Sequence, residues 1–166
     1  FYAIYLDADG NFWTASVHDA SNPKKTKSGC LVKYHYPSGK TTVYPAGKGI
    51  SFASSIVLDI TCDAKGNVYL LNKFGVCELN PGSGKTSVYY SNELLPDNTY
   101  VSMELDAKNR LWLGTLTNGI VVYDIPTNKF ILLKGQPTLL SNDMLMQAST
   151  QDDNNHLYFW DCSNTS

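Results

Sequence analysis

One seven-residue pattern occurs four times in this chain, and any fold assigned to it must have a use for that pattern four times over. The segments are Asp7-Ala-Asp-Gly-Asn-Phe-Trp13, Asp63-Ala-Lys-Gly-Asn-Val-Tyr69, Asp106-Ala-Lys-Asn-Arg-Leu-Trp112 and Asp152-Asp-Asn-Asn-His-Leu-Tyr158. Each reads Asp-x-x-(Gly/Asn)-x-apolar-aromatic, and the aromatic positions 13, 69, 112 and 158 lie 56, 43 and 46 residues apart. A second series keeps the same order: Gly29-Cys-Leu-Val-Lys-Tyr34, Gly75-Val-Cys-Glu-Leu79 and Gly119-Ile-Val-Val-Tyr123. A third follows it, in Pro37-Ser-Gly-Lys40, Pro81-Gly-Ser-Gly-Lys85 and Pro126-Thr-Asn-Lys129. The long first interval contains the polar stretch from His18 to Ser28, and removing it restores a common period of about 44 residues.

Each period carries four short strand signals separated by turn residues. In the second repeat these are Ile56 to Thr61, Val68 to Leu71, Val76 to Leu79 and Ser87 to Tyr90. Between the first two strands, the Asp side chain can bond its own backbone two residues on, and the Gly or Asn accepts a positive φ, which closes a tight hairpin. The Pro-containing pieces do the same between the last two strands. No apolar stripe of helical spacing persists for three turns. Four strands per repeat of about 44 residues is the pattern of a β-propeller blade. A leucine-rich repeat is shorter, helical repeats lack strands, and an immunoglobulin-like sandwich does not repeat one turn four times in register. The sequence therefore predicts an all-β chain of about three and a half blades in an incomplete ring: blades over residues 1–54, 55–99 and 100–143, and a half blade over 144–166.

Composition agrees with strands and narrows the partners. Eleven Tyr among 166 residues suit a pleated surface. A net charge of −2, with Arg110 the lone Arg among 13 basic residues, supplies no field for a phosphate backbone, so no nucleic acid is expected as a partner. No run of 18 apolar residues suggests a membrane span, and no membrane contact is expected from this stretch. Cys30, Cys62, Cys77 and Cys162 form no CxxC pair, and free, buried thiols are expected rather than bridges.

The chemistry-bearing residues support binding over catalysis. Asp7, Asp9 and Asn11 have the oxygen spacing that opens a calcium loop, but the later Glu is missing and sister turns place Lys65 and Lys108 at the second carboxylate. They read as structural hairpins, and no metal or cofactor is expected. The recurring Trp13, Tyr69, Trp112 and Tyr158 read as packing between blades rather than platforms for sugars. His18, His35 and His156 fall at three different places in the repeat, with no catalytic motif around them, so no catalytic residue is assigned.

The third repeat, Leu105-Asp-Ala-Lys-Asn-Arg-Leu-Trp-Leu-Gly-Thr115 followed by Asn118-Gly-Ile-Val-Val-Tyr-Asp124, resembles the two-component regulator propeller repeat. The other repeats lack its Gly-Thr, having Thr14-Ala15, Leu70-Leu71 and Phe159-Trp160 there. The resemblance implies the extracytoplasmic sensor region of a bacterial hybrid histidine kinase, periplasmic or extracellular. Its parent would be anchored in the inner membrane, with the kinase elsewhere and no catalysis in the propeller. It implies an oligosaccharide or another small extracellular ligand, and as partners the remaining blades or a second copy of the chain. The alternatives are a protein-binding scaffold and a propeller lyase or hydrolase. The family has no fixed binding motif, so candidate ligand contacts follow from topology: loops on one face of a rigid scaffold, with His18 and Lys25 in the inserted stretch, Asn72, Lys73 and Phe74 in a short turn, and Asn118.

Overall fold

The computed structural model describes residues 3–15, 30–45, 57–72, 75–90, 100–115, 119–133, 146–152, 154 and 156–161. Among them are fourteen strands and no helix. The first sheet holds β1 (Ile4–Leu6), β2 (Asn11–Ala15), β3 (Cys30–His35) and β4 (Lys40–Pro45) in chain order. The second holds β5 (Asp59–Cys62), β6 (Val68–Asn72), β7 (Gly75–Leu79) and β8 (Thr86–Tyr90), and the third β9 (Tyr100–Leu105), β10 (Arg110–Thr115), β11 (Ile120–Asp124) and β12 (Lys129–Leu133), each with sequence neighbours side by side. A last pair joins β13 (Met146–Gln151) to β14 (Leu157–Asp161). Each of the three four-stranded sheets is an antiparallel meander of the kind that makes a propeller blade. The expected strand from Ile56 to Thr61 is realised as Asp59–Cys62, because pairing with β6 runs down to Cys62↔Val68, where the Asp63 turn begins; Ile56 lies outside the described residues.

The chain divides into two compact units, Phe1–Asn72 with Val76–Tyr89, and Lys73–Gly75 with Tyr90–Ser166. In the first unit, the period of two along a strand decides what is buried. Trp13 and Ala15 of β2 and Leu31 of β3 point to one face of the first sheet, and there they meet Ile60, Val68, Leu70, Cys77 and Leu79 of the second. Tyr5, Tyr44, Cys62 and Val88 pack at the edge of this core. The second sheet is buried on its other face as well, since every residue of β6 is buried and Val76 is fully inaccessible. The first sheet differs: its other face leaves Ile4 70%, Leu6 55%, Phe12 38%, Tyr34 39% and Val43 54% exposed. These side chains adjoin across the strands, through Leu6↔Phe12↔Tyr34 on one rung and Val32↔Val43 on another.

In the second unit, Met103, Leu111, Leu113, Val121 and Tyr123 of the third sheet are buried. Ile120 and Val122 form a cluster with Trp112 and Leu133 on the opposite face. β13 lies against β9 and β10.

Candidate functional site

The repeated Asp turn is the most regular construction in the molecule. In each case Oδ1 accepts the backbone N–H groups two and four residues on: Asp9 and Asn11 for Asp7, Lys65 and Asn67 for Asp63, Lys108 and Arg110 for Asp106, Asn154 and His156 for Asp152, all at 2.8 to 3.0 Å. Oδ2 faces the side chain four residues on, Asn11 or Asn67 through Nδ2, Arg110 through Nε and His156 through Nδ1. Oδ2 also accepts from the aromatic six residues on: Trp13 Nε1 at 2.8 Å, Tyr69 Oη at 3.2 Å, Trp112 Nε1 at 2.9 Å and Tyr158 Oη at 3.2 Å. The residue after the turn's midpoint has positive φ, +77° at Gly10, +79° at Gly66 and +57° at Asn109, as the Gly/Asn alternation requires.

A carboxylate offers about four lone-pair sites, and each of these is taken up by donors from its own hairpin. The group is a clasp, and the calcium-like spacing at Asp7 serves it. Among the described residues no cluster of three His, Cys, Asp or Glu side chains is placed to hold a metal. The electrostatics follow. Burial pushes the Asp7 and Asp106 carboxyls up, but hydrogen bonds from Trp13 and Asn11, and from Trp112 and Arg110, outweigh it and hold both below the usual range. The backbone N–H of His156 is foremost in holding Asp152 down to about 2.

Burial of the clasp aromatics is not uniform. Trp13 and Tyr69 are each 1% exposed, Trp112 is half-buried, and Tyr158 is 54% exposed. The expectation that all four pack in the core is corrected for Tyr158: the clasp fixes the ring within its own hairpin, whereas burial depends on what lies over the sheet.

Of the residues expected to contact a ligand, Asn72 is described; it ends β6 and is 8% exposed. His18, Lys25, Lys73, Phe74 and Asn118 lie outside the described residues. A different concave site appears on the first sheet, a groove of about 210 Å³ lined by Asn11, Lys33, His35, Lys40, Thr42 and Tyr44. Registry brings them together: Asn11↔His35↔Lys40 is one rung, Trp13↔Lys33↔Thr42 the next, and Ala15↔Leu31↔Tyr44 the third. Asn11, 3% exposed, is held by Asp7. Tyr44 stacks on Trp13 with centroids 5.9 Å apart, and Lys33 Nζ stands 5.2 Å from the Trp13 ring centre. His35 Nδ1 is 2.7 Å from Ser38 Oγ. Sequence reasoning missed the groove because it used Pro37 to Lys40 only as a turn landmark. The signal was the alternation of Lys33 and His35 before that turn with Lys40, Thr42 and Tyr44 after it, which a tight antiparallel hairpin places on one face.

Residues 94–117 match the two component regulator propeller family. No curated protein matches the chain. Among solved structures, the chain is similar to the extracellular domain of the hybrid two component system BT4673 from B. thetaiotaomicron, with 15% identity over 96% of this chain and 19% of that one and a TM-score of 0.67. It is similar to the corresponding domain of BT3049 from the same organism, with 20% identity, 95% and 20% coverage and a TM-score of 0.65. It is also similar to a catalytically inactive H270A virginiamycin B lyase from Staphylococcus aureus with quinupristin, with 16% identity, 95% and 47% coverage and a TM-score of 0.70. The chain spans about a fifth of the length of those two extracellular domains. The fold is thus that of β-propeller blades.

Proposed function

We propose that this chain is a ligand-sensing stretch of β-propeller from a bacterial two-component sensor, placed in the periplasm or outside the cell, and that it binds an oligosaccharide or a similar extracellular ligand without transforming it. The observation that carries this reading is the family match over residues 94–117, which falls on β9, the Asp106 clasp and β10 of the third sheet. Two neighbours of the same fold that are extracellular domains of hybrid two component systems support it. The histidine kinase and membrane anchor belong to the parent in this reading. The lyase among the structural neighbours favours a second reading, a propeller that cleaves its ligand.

The uncovered apolar face of the first sheet supports a further part of the proposal: a blade of the same kind lies on it. Within the first unit, the equivalent face of the second sheet is covered by the Trp13 side of the first. The covering blade comes from the parent polypeptide or from a second copy. Light scattering separates the two, since self-association indicates a second copy and a clean monomer indicates the parent. Calorimetric titration of the chain with a panel of polysaccharide-derived oligosaccharides tests the sensing function. Saturable binding of one of them without breakdown is the expected result, and turnover of that ligand would replace the sensor reading with the lyase one.

A further inference from the structure

We propose that the groove on β2, β3 and β4 is a binding site for a small organic anion, held through its carboxylate, sulfate or phosphate group by Lys33 and Lys40. The two lysines stand on adjacent strands, one rung apart on one face, so their ammonium groups serve the same concavity. An ammonium group only donates, and among the described residues no carboxylate lies within ion-pair distance of either one. The nearby carboxylate of the sheet, Asp7, is committed to Asn11, Trp13 and the turn backbone. Thr42 and Tyr44 add hydroxyl groups, and the Tyr44 ring, stacked on the buried Trp13, gives the groove an apolar flank.

In the third sheet the residue paired with the clasp Trp112 is Val122, where the first sheet has Lys33 opposite Trp13. In the second sheet burial, and after it the nearby Glu78 carboxylate, push the Tyr69 hydroxyl up, and Tyr89 donates to Glu78 at 2.6 Å, so that sheet carries an anion of its own. In the third sheet the cation over the clasp ring, Arg110 at 5.3 Å from Trp112, is already held by Asp106, whereas Lys33 over Trp13 has no such partner among the described residues. A volume of about 210 Å³ is below the range of roughly 300–1,000 Å³ usual for drug-sized ligands, and suits one ring-sized unit. The proposal holds whether or not the chain belongs to a sensor.

The test is an amide NMR titration of the chain, at low ionic strength, with sodium sulfate, glucuronate and, as the uncharged control, glucose. Saturable shifts centred on Lys33, His35, Lys40 and Thr42 are expected with both anions and not with glucose. A Lys33→Gln/Lys40→Gln variant is expected to bind at least tenfold more weakly with its other resonances in place, and Lys33→Arg/Lys40→Arg to keep binding. Tighter binding of glucuronate identifies a carboxylated ring as the ligand, and equal or tighter binding of sulfate identifies the bare oxyanion group. No saturable shift, equal shifts with glucose, or undiminished binding by the Gln variant would overturn the proposal.

Discussion

The first and second sheets share one meander and one clasp, yet the second is buried on both faces and the first on one. In β6 every residue is buried, and β7 reads buried at all but Glu78; β2 and β3 alternate instead, with Phe12 and Tyr34 open to solvent. The sequences differ accordingly. Val68, Leu70, Cys77 and Leu79 fill the covered face of the second sheet, whereas the polar Lys33 and His35 occupy the first sheet at the outer end of its covered side. What lies over a face, then, separates the two sheets: Val68 and Leu79 are buried beneath the first sheet, whereas Phe12 and Tyr34, on the corresponding face of the first, are open.

The largest effect that sharpens this comparison is expected at Leu79. It is fully inaccessible, and Leu79→Ala should cost about 2–5 kcal/mol in urea unfolding, against less than about 1 kcal/mol for Leu6→Ala on the open face. Equal losses would break the contrast by showing that the open face is covered in solution. Next come the clasps. Asp7→Ala strands the buried indole N–H of Trp13 and the amide of Asn11, a loss of about 2–3 kcal/mol on the scale for orphaned buried donors. Asp152→Ala should cost less, because the exposed Tyr158 and His156 turn to water.

A pH scan follows in size. Asp7 and Asp106 have carboxyls held below the unfolded value of about 3.9, so their contribution is complete above that pH and is lost as pH falls through the lower folded values. Thermal midpoints should therefore fall between about pH 5 and pH 2, and Asp106→Asn should flatten that fall. The smallest change is expected from Lys33→Gln, whose half-exposed ammonium over Trp13 should shift stability by no more than about 0.5–1 kcal/mol while the anion titration changes strongly.

The fold was legible because its signals are local. Asp at the head of the turn, Gly or Asn at positive φ and an aromatic six residues on identify the hairpin without reference to anything distant. The clasp's bond from Asp to the aromatic was not foreseen, although its constant spacing was the available sign. Tyr158 was misjudged, since a residue's burial belongs to the surface laid over it and that is absent from the repeat. The groove escaped for a related reason. It is a property of registry across three strands, and Lys33, Lys40 and Tyr44 look like ordinary surface residues until the hairpin is closed.

The clasp has one more consequence, in the order of events rather than in the finished structure. It ties residues no more than six apart, and every described sheet pairs strands that follow one another along the chain. Closing so short a segment has a small entropic cost, and chains rich in such contacts fold quickly. Each Asp turn can therefore form before the sheets meet. In stopped-flow experiments Asp7→Ala should mainly slow folding, whereas Leu79→Ala, whose partners assemble later, should mainly hasten unfolding. A chain of this design has several equivalent places at which to begin folding, one at the head of each repeat.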